Sequence, residues 1–212
     1  MSTSKWLRCF QNTRDPHDPD AALAAAEVPE TERRVIDVVD PTQKLLELHG
    51  PPARRPVRYA LLSWEWWNDR PQFDNPREFG YRLSERPVFD ELPPFGEDGW
   101  RPGVKQLFFL YRPPGLSRQE FRERYHHHTE TLRADQPGIA KYVQNVAEEA
   151  APGAPEIDGV SELWFASLDD YQNRYWSGPG VAEREAKQTG RFLDFTRTWS
   201  LLVRERKSPT KG

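Results

Sequence analysis

Hydrophobic and polar positions are most regular in the second half of the chain. Residues 105–111, KQLFFLY, form a compact apolar and aromatic run closed by Pro113, Pro114 and Gly115. That pattern predicts a strand covered on both faces. Ser117 and Glu120 follow at capping-box spacing, where the hydroxyl accepts from one free amide and the carboxylate reaches back to another. Phe121, Tyr125, His128 and Leu132 then recur at helical spacing, which predicts a helix with one inward stripe, stopped by Pro137 and Gly138. Residues 139–146 and 161–167 read as further strands separated by a loop rich in Ala, Pro and Gly. Ser167 with Asp170 predicts a second capped helix carrying Leu168, Tyr171 and Tyr175, broken at 177–180. A short helical piece over 181–187 and a closing strand over 198–205 complete the half, and the tail from 207 to 212 is expected to fray.

The predicted order is βαββαβ, the α+β ferredoxin-like plan. One face of such a sheet carries the helices, and strands apolar on both faces require a second sheet on the other. The first half can supply it. KWLRCFQ begins at Lys5 and KQLFFLY at Lys105, an offset of 100. Asp18 can cap an Ala-rich helix, and 33–39 and 58–67 match the second and third strands. Residues 91–103 show no fourth strand. The expectation is two tandem repeats forming an α+β barrel, with a diverged half at 1–103, a second at 104–206 and a tail at 207–212.

Composition narrows the function. The chain has 212 residues, 36% hydrophobic and 30% charged, with eight Trp, a balance that favours a packed core over disorder. A net charge of −3 without a block of one sign offers no footprint for nucleic acid. The one cysteine, Cys9, allows no internal disulfide and no multi-cysteine zinc site. No apolar run is long enough to span a membrane, and the N-terminus lacks a signal-peptide core, so the expected location is the cytoplasm. No phosphate-cradling G-x-G-x-x-G, nucleophile elbow or zinc-protease helix is present.

Candidate chemistry centres on His126, His127 and His128. Helix neighbours point about 100° apart, so the three cannot share one pocket, and their spacing does not suit a metal. His127 points away and His126 lies at the edge. His128 joins the inward stripe, where an imidazole can move a proton, with Tyr125 one turn earlier to bond a substrate oxygen. Gln144 and Asn145 alternate on their strand, so only one of them faces the helices. Asp37 and Glu162 are carboxyls in strands, and burial would raise their pKa and fit them as acids. Trp64, Trp66, Trp67, Trp164, Tyr142 and Tyr171 can wall a flat aromatic substrate.

The run from the Pro-Pro-Gly turn through SRQEFRERY, QPGIAKYVQN, DGVSELWFASLDDY and RFLDF to the closing strand resembles the EthD family of dimeric α/β-barrel proteins, over roughly residues 105–205. The resemblance implies a ferredoxin-like fold whose sheets pair into a barrel, as a homodimer or as a pseudo-dimer within one chain. It also implies a cofactor-free enzyme, with no bound metal, acting on an aromatic or polyketide-like metabolite. In the family a histidine stands eight residues after the helix Phe; here that position is Thr129, with His128 beside it. The expected catalytic set is His128, Tyr125, Thr129 and Glu162, and the expected substrate-binding set is Phe109, Tyr142, Asn145, Trp164 and Tyr171. The expected chemistry is proton transfer of the lyase or cyclase type: decarboxylation, dehydration or cyclisation. The alternatives are cofactor-free oxygenation of an anthrone-like compound and a non-catalytic binding role.

Overall fold

The computed structural model describes residues 3–11, 33–39, 59–73 and 78–207. Its strands are β1 (Ser4–Gln11), β2 (Arg33–Val39), β3 (Tyr59–Trp67), β4 (Glu78–Asp90), β5 (Val104–Leu110), β6 (Ile139–Ala150), β7 (Gly159–Phe165) and β8 (Trp199–Lys207). All are antiparallel to their neighbours, and they close into one barrel in the order β1-β3-β2-β8-β5-β7-β6-β4. Closure removes the unpaired edges that an open sheet would present. The seams are β2 against β8 and β4 against β6, so the barrel closes within one chain.

The halves share an internal strand order, β4-β1-β3-β2 in one and β8-β5-β7-β6 in the other. Their registers agree as well. Lys5 lies opposite Trp66 and Leu83, and Lys105 lies opposite Trp164 and Val203. Asp37 lies opposite Leu62, and Asn145 opposite Val160, which are equivalent places in the two sheets.

The first half's fourth strand is β4, earlier than the stretch at 91–103 where the sequence shows none. Arg82, Glu85, Arg86 and Pro87 hide it by interrupting the apolar alternation. Proline is tolerated because β1 pairs only with Glu78–Leu83, while the later residues pair with β6 alone across a bulge at Pro87/Phe89. Residues 91–103 are a loop tied to β8 by the Arg101 N–H donating to Glu205 and the Lys207 N–H donating to Gly99. Lys207 therefore belongs to the last strand rather than to a frayed tail. The helix expected after Asp18 lies outside the described residues.

Alternation along the strands separates two cores. Leu7, Cys9, Leu62, Trp64, Leu107, Phe109, Val160 and Val203 point into the barrel. On the outer face of the second half, Leu110, Val146, Leu163 and Phe165 meet the helices. These are α1 (Arg118–His127), α2 (Leu132–Asp135), α3 (Leu168–Asn173) and α4 (Val181–Thr189). The Ser117–Glu120 capping box opens α1, and the Ser167 hydroxyl accepts from the Asp170 amide to open α3, both as the sequence predicts. Gly159 lets α1 lie close to the sheet: a Cβ there would sit 2.6 Å from the Asn145 carbonyl oxygen, with Phe121 and Tyr125 at 3.6 Å.

Candidate active site

The sheet of the second half divides the expected site residues into two groups. Phe109, Asn145, Glu162 and Trp164 point into the barrel, whereas Tyr125, His128, Tyr142 and Tyr171 lie on the helix side. The first four therefore cannot line one pocket with His128, because alternate residues of β5, β6 and β7 face opposite ways. Phe109 is stacked on Trp199 at 3.9 Å and acts in the core. On β6 it is Gln144, not Asn145, that faces the helices, where its amide donates to the Tyr125 carbonyl. The Thr129 hydroxyl, expected in the catalytic set, donates back to the His126 carbonyl at 3.1 Å.

The barrel interior holds a buried charge cluster. The Lys5 ammonium donates to Glu85 at 2.6 Å, Glu162 at 2.7 Å and Asn145 at 3.0 Å, which uses all three of its hydrogens. Lys105 lies 2.7 Å from Asp37 and 2.7 Å from the other oxygen of Glu162, with Glu205 at 3.6 Å. The indoles of Trp64 and Trp164 donate to Asp37 and Glu205. Burial alone would raise Glu162, but Lys105 and Lys5 outweigh it and hold the carboxyl at about 2. Glu162 is thus a fixed anion, not the acid expected of it. Burial would likewise lower Lys105, yet Asp37, Glu162 and Glu205 hold it above the usual lysine range. Asp37 behaves differently. Burial pushes its carboxyl up to about 7 against the pull of Lys105, and its Oδ1 has no hydrogen-bond partner.

The seam between helices and sheet is built from α1, α4 and β5–β7. Phe121, Tyr125 and Leu132 face inward, His127 is exposed and His126 lies at the edge, as the helical spacing predicts. Beyond His127 the helix tightens into a 3₁₀ turn, His128–Glu130. A 3₁₀ turn advances about 120° per residue rather than 100°, which alters where the last side chains point. The His128 imidazole is 11% exposed, and its ring centroid lies 5.6 Å from that of Phe192. Its Nδ1 is 3.7 Å from the Glu185 carboxylate, beyond hydrogen-bond reach, and neither Nδ1 nor either Glu185 oxygen has a hydrogen-bond partner.

The pair is not an ion pair near neutrality. Burial lowers His128 to about 4, only partly opposed by Asp135, so the imidazole is neutral. Burial raises Glu185 to about 7, with the nearby Asp135 adding to the effect and Arg184 opposing it. Around them, the Tyr125 hydroxyl lies 2.7 Å and the Tyr142 hydroxyl 3.4 Å from Ser161 Oγ, and the Tyr175 hydroxyl donates to Gln106 at 3.0 Å. Burial raises all three phenols, so each keeps its proton. Tyr171 packs edge-on against Phe165 at 5.0 Å. A groove of about 500 Å³ runs outside α1, lined by Arg118, Phe121, Arg122, Val146, Glu148 and Asp158. Phe121 separates it from Tyr125, on which its ring stacks at 5.4 Å.

Sequence reasoning missed Glu185, although a signal exists. Val181 and Glu185 are one turn apart on α4 and both are buried, so an acid occupies the inward stripe. It also missed Lys5 and Lys105 as charges, because inward lysines on apolar strands look like strand boundaries.

Residues 113–196 match the family profile of the EthD domain. The chain carries an EthD domain. That domain includes α1 to α4 together with β6 and β7, and so supplies His128, Tyr142 and Glu185. Solved structures share the whole fold. The chain is 11% identical to an anthrone oxidase-like protein at a TM-score of 0.65, covering 100% of this chain and 96% of that one. A protein provisionally named a monooxygenase from Fusobacterium nucleatum subsp. nucleatum is 12% identical at a TM-score of 0.58, covering 100% and 95%. Another provisionally so named, from Lactobacillus acidophilus, is 9% identical at a TM-score of 0.50, covering 98% and 97%. No curated protein matches the chain. Among the described residues, no group of three or more His, Cys, Asp or Glu could hold a metal ion, and no helix is long and apolar enough to cross a membrane.

Proposed function

We propose that the protein is an enzyme that removes a proton from a hydrophobic, aromatic or polyketide-like substrate at the seam of its EthD domain. The observation that carries this reading is the His128–Glu185 pair, buried, 3.7 Å apart and without hydrogen-bond partners. Buried polar atoms without partners are costly and rare, and at a functional site they are the atoms a ligand would satisfy. A carboxyl with a midpoint of about 7 can take a proton and return it near neutrality, help typically worth about 10²–10⁴-fold in rate. Glu185 is the group that moves the proton, and neutral His128 hydrogen-bonds the substrate beside it.

Oxidation of an anthrone-like substrate by oxygen is the reading favoured by the names of the proteins that share the fold. Glu185 takes a proton from the ring methylene and leaves an enolate. The enolate carbon reduces O₂ and bonds to it, and the peroxide takes up a proton. Loss of the second C–H proton breaks the O–O bond and expels water. The substrate CH₂ and O₂ become C=O and H₂O, with the enolate as reductant, so no cofactor takes part. Decarboxylation, dehydration or cyclisation would share the first proton transfer but consume no oxygen.

The halves at 1–103 and 104–206 are further read as diverged copies of one ferredoxin-like module, fused so that one chain makes the barrel. Their common strand order and the equivalent registers of Lys5 and Lys105 support this.

The test supplies 1,8-dihydroxyanthrone to purified protein and follows oxygen uptake together with the quinone absorbance. The expected result is uptake matched to quinone formed, slowed about 100-fold or more in Glu185→Gln. The rate should fall as pH drops below about 7, because protonated Glu185 cannot accept a proton. Uptake no faster than in buffer, or unaffected by Glu185→Gln, overturns the oxidative reading. A flavin or haem band in the protein's visible spectrum overturns the cofactor-free step.

A further inference from the structure

A substrate must reach a pair that is almost wholly enclosed, and α4 is the element placed to admit it. Val181 and Glu185 are the buried residues among its nine, so little apolar surface holds the helix down. Glycines stand at both ends: Gly180 at the N-cap, with a φ of 75° that side chains rarely adopt, and Gly190 at the C-cap. The chain on either side is fastened. The Ser177 N–H donates to the Asp135 carbonyl at 2.9 Å and the Asp194 N–H to the Tyr111 carbonyl at 2.7 Å. Arg124 Nη1 donates to the Arg191 carbonyl at 2.8 Å. Among the described residues, one hydrogen bond ties α4 itself to another element: Arg184 Nη2 donates to Asp135 Oδ1 at 2.6 Å.

We infer that α4 is a lid over the seam, hinged at Gly180 and Gly190 and latched by the Arg184–Asp135 ion pair. The inference rests on the function proposed above and adds the substrate's way in. His128 and Asp135 lie on one stretch, the 3₁₀ turn and α2, whereas Arg184 and Glu185 are neighbours on α4. The latch therefore joins the same two stretches as the His128–Glu185 contact, on its solvent side. The Arg184 side chain is 50% exposed and that of Glu185 5%. Opening parts both contacts at small cost. Glu185 breaks no hydrogen bond, because it has none, and an ion pair with a half-exposed arginine is weak. The open lid uncovers His128 and carries Glu185 outward. The closed lid returns the carboxylate to the imidazole and shuts water out around the substrate.

Two measurements on the ligand-free protein test this, and neither needs turnover. The first is backbone amide exchange by NMR. Amides of α4 should exchange at least about tenfold faster than those of α1. Arg184→Gln and Asp135→Asn should each speed α4 about two- to fivefold and leave α1 unchanged. The double variant should open no more than either single one, because both remove the same contact. The second is acylation of the histidines by diethyl pyrocarbonate, mapped by mass spectrometry. His128 should react more slowly than exposed His127 in the wild type and about two- to fivefold faster in either variant, with His127 unchanged. Amides of α4 that exchange in step with α1, or His128 reactivity indifferent to both substitutions, overturn the lid. Effects that multiply in the double variant overturn the latch. A lid that opens in a protein that does not oxidise 1,8-dihydroxyanthrone upholds the inference and overturns only the proposed reaction.

Discussion

Two polar clusters lie back to back across one sheet, and burial has opposite consequences in them. Inside the barrel, Glu162 lies between two lysines, each 2.7 Å away, and its carboxyl is held at about 2. On the helix side, Glu185 is also buried but its carboxylate has no hydrogen bond, and the carboxyl rises to about 7. Desolvation raises both groups; the partner decides the outcome. A carboxylate fixed between ammonium groups cannot exchange a proton at neutral pH, so the interior cluster serves structure. A carboxyl left unpaired can exchange one, which is what the proposed proton transfer asks of the seam. Asp37 stands between the two cases, with one oxygen bonded to Lys105 and Trp64 and the other bare.

The comparison is broken most directly by removing one carboxylate from each side. Glu162→Gln leaves Lys5 and Lys105 short of a buried counter-charge and should cost about 3–5 kcal/mol of stability in chemical denaturation at pH 7. Glu185→Gln should cost less than about 1 kcal/mol, because no hydrogen bond or close ion pair is lost. Equal costs would mean that the two carboxyls do the same work.

The pH dependence sharpens the contrast. Glu162 has a depressed folded pKa, so the stability it contributes is present above the unfolded value of 4.5 and is lost as pH falls toward 2. Asp37 has a raised folded pKa, so its effect has the other sign. The folded state keeps a proton that the unfolded state releases, and stability falls as pH rises from 3.8 to about 7. Asp37→Asn copies the protonated form and places in the first half the residue that Asn145 already supplies in the second. Its denaturation midpoint should vary less than the wild type's over that window. An identical slope in both proteins would show that Asp37 is ionised like an ordinary carboxyl. Thr129→Ala is the smallest perturbation, removing one hydroxyl bond to the His126 carbonyl. Stability should fall by about 0.5 kcal/mol with activity unchanged, whereas loss of turnover would return Thr129 to the mechanism.

Features set by nearby residues were legible in the sequence. The capping box at Ser117 and Glu120, the Ser167 cap and the inward stripe of α1 each depend on residues within one or two turns. Lys5 and Lys105, 100 residues apart, both fall within strands, opposite Trp66 and Trp164. Features set by distant pairing were not legible. Strand β4 is made tolerable for Pro87 by neighbours far along the chain, and Lys5 meets Glu162 across 157 residues. A period-two pattern also fixes which residues share a face without saying which face holds the helices, and that is why Asn145 and Gln144 exchange roles. Glu185 escaped because a single acid in a polar helix reads as solvated until the packing of α4 is known.

The most direct test of the account is an NMR titration of the His128 imidazole and the Glu185 carboxyl in the ligand-free protein. The account predicts that Glu185 titrates near pH 7 and that His128 stays neutral down to about pH 4. A His128 midpoint near 6.5 with Glu185 ionised from about 4.5 upward would make the two an ordinary ion pair and contradict the account.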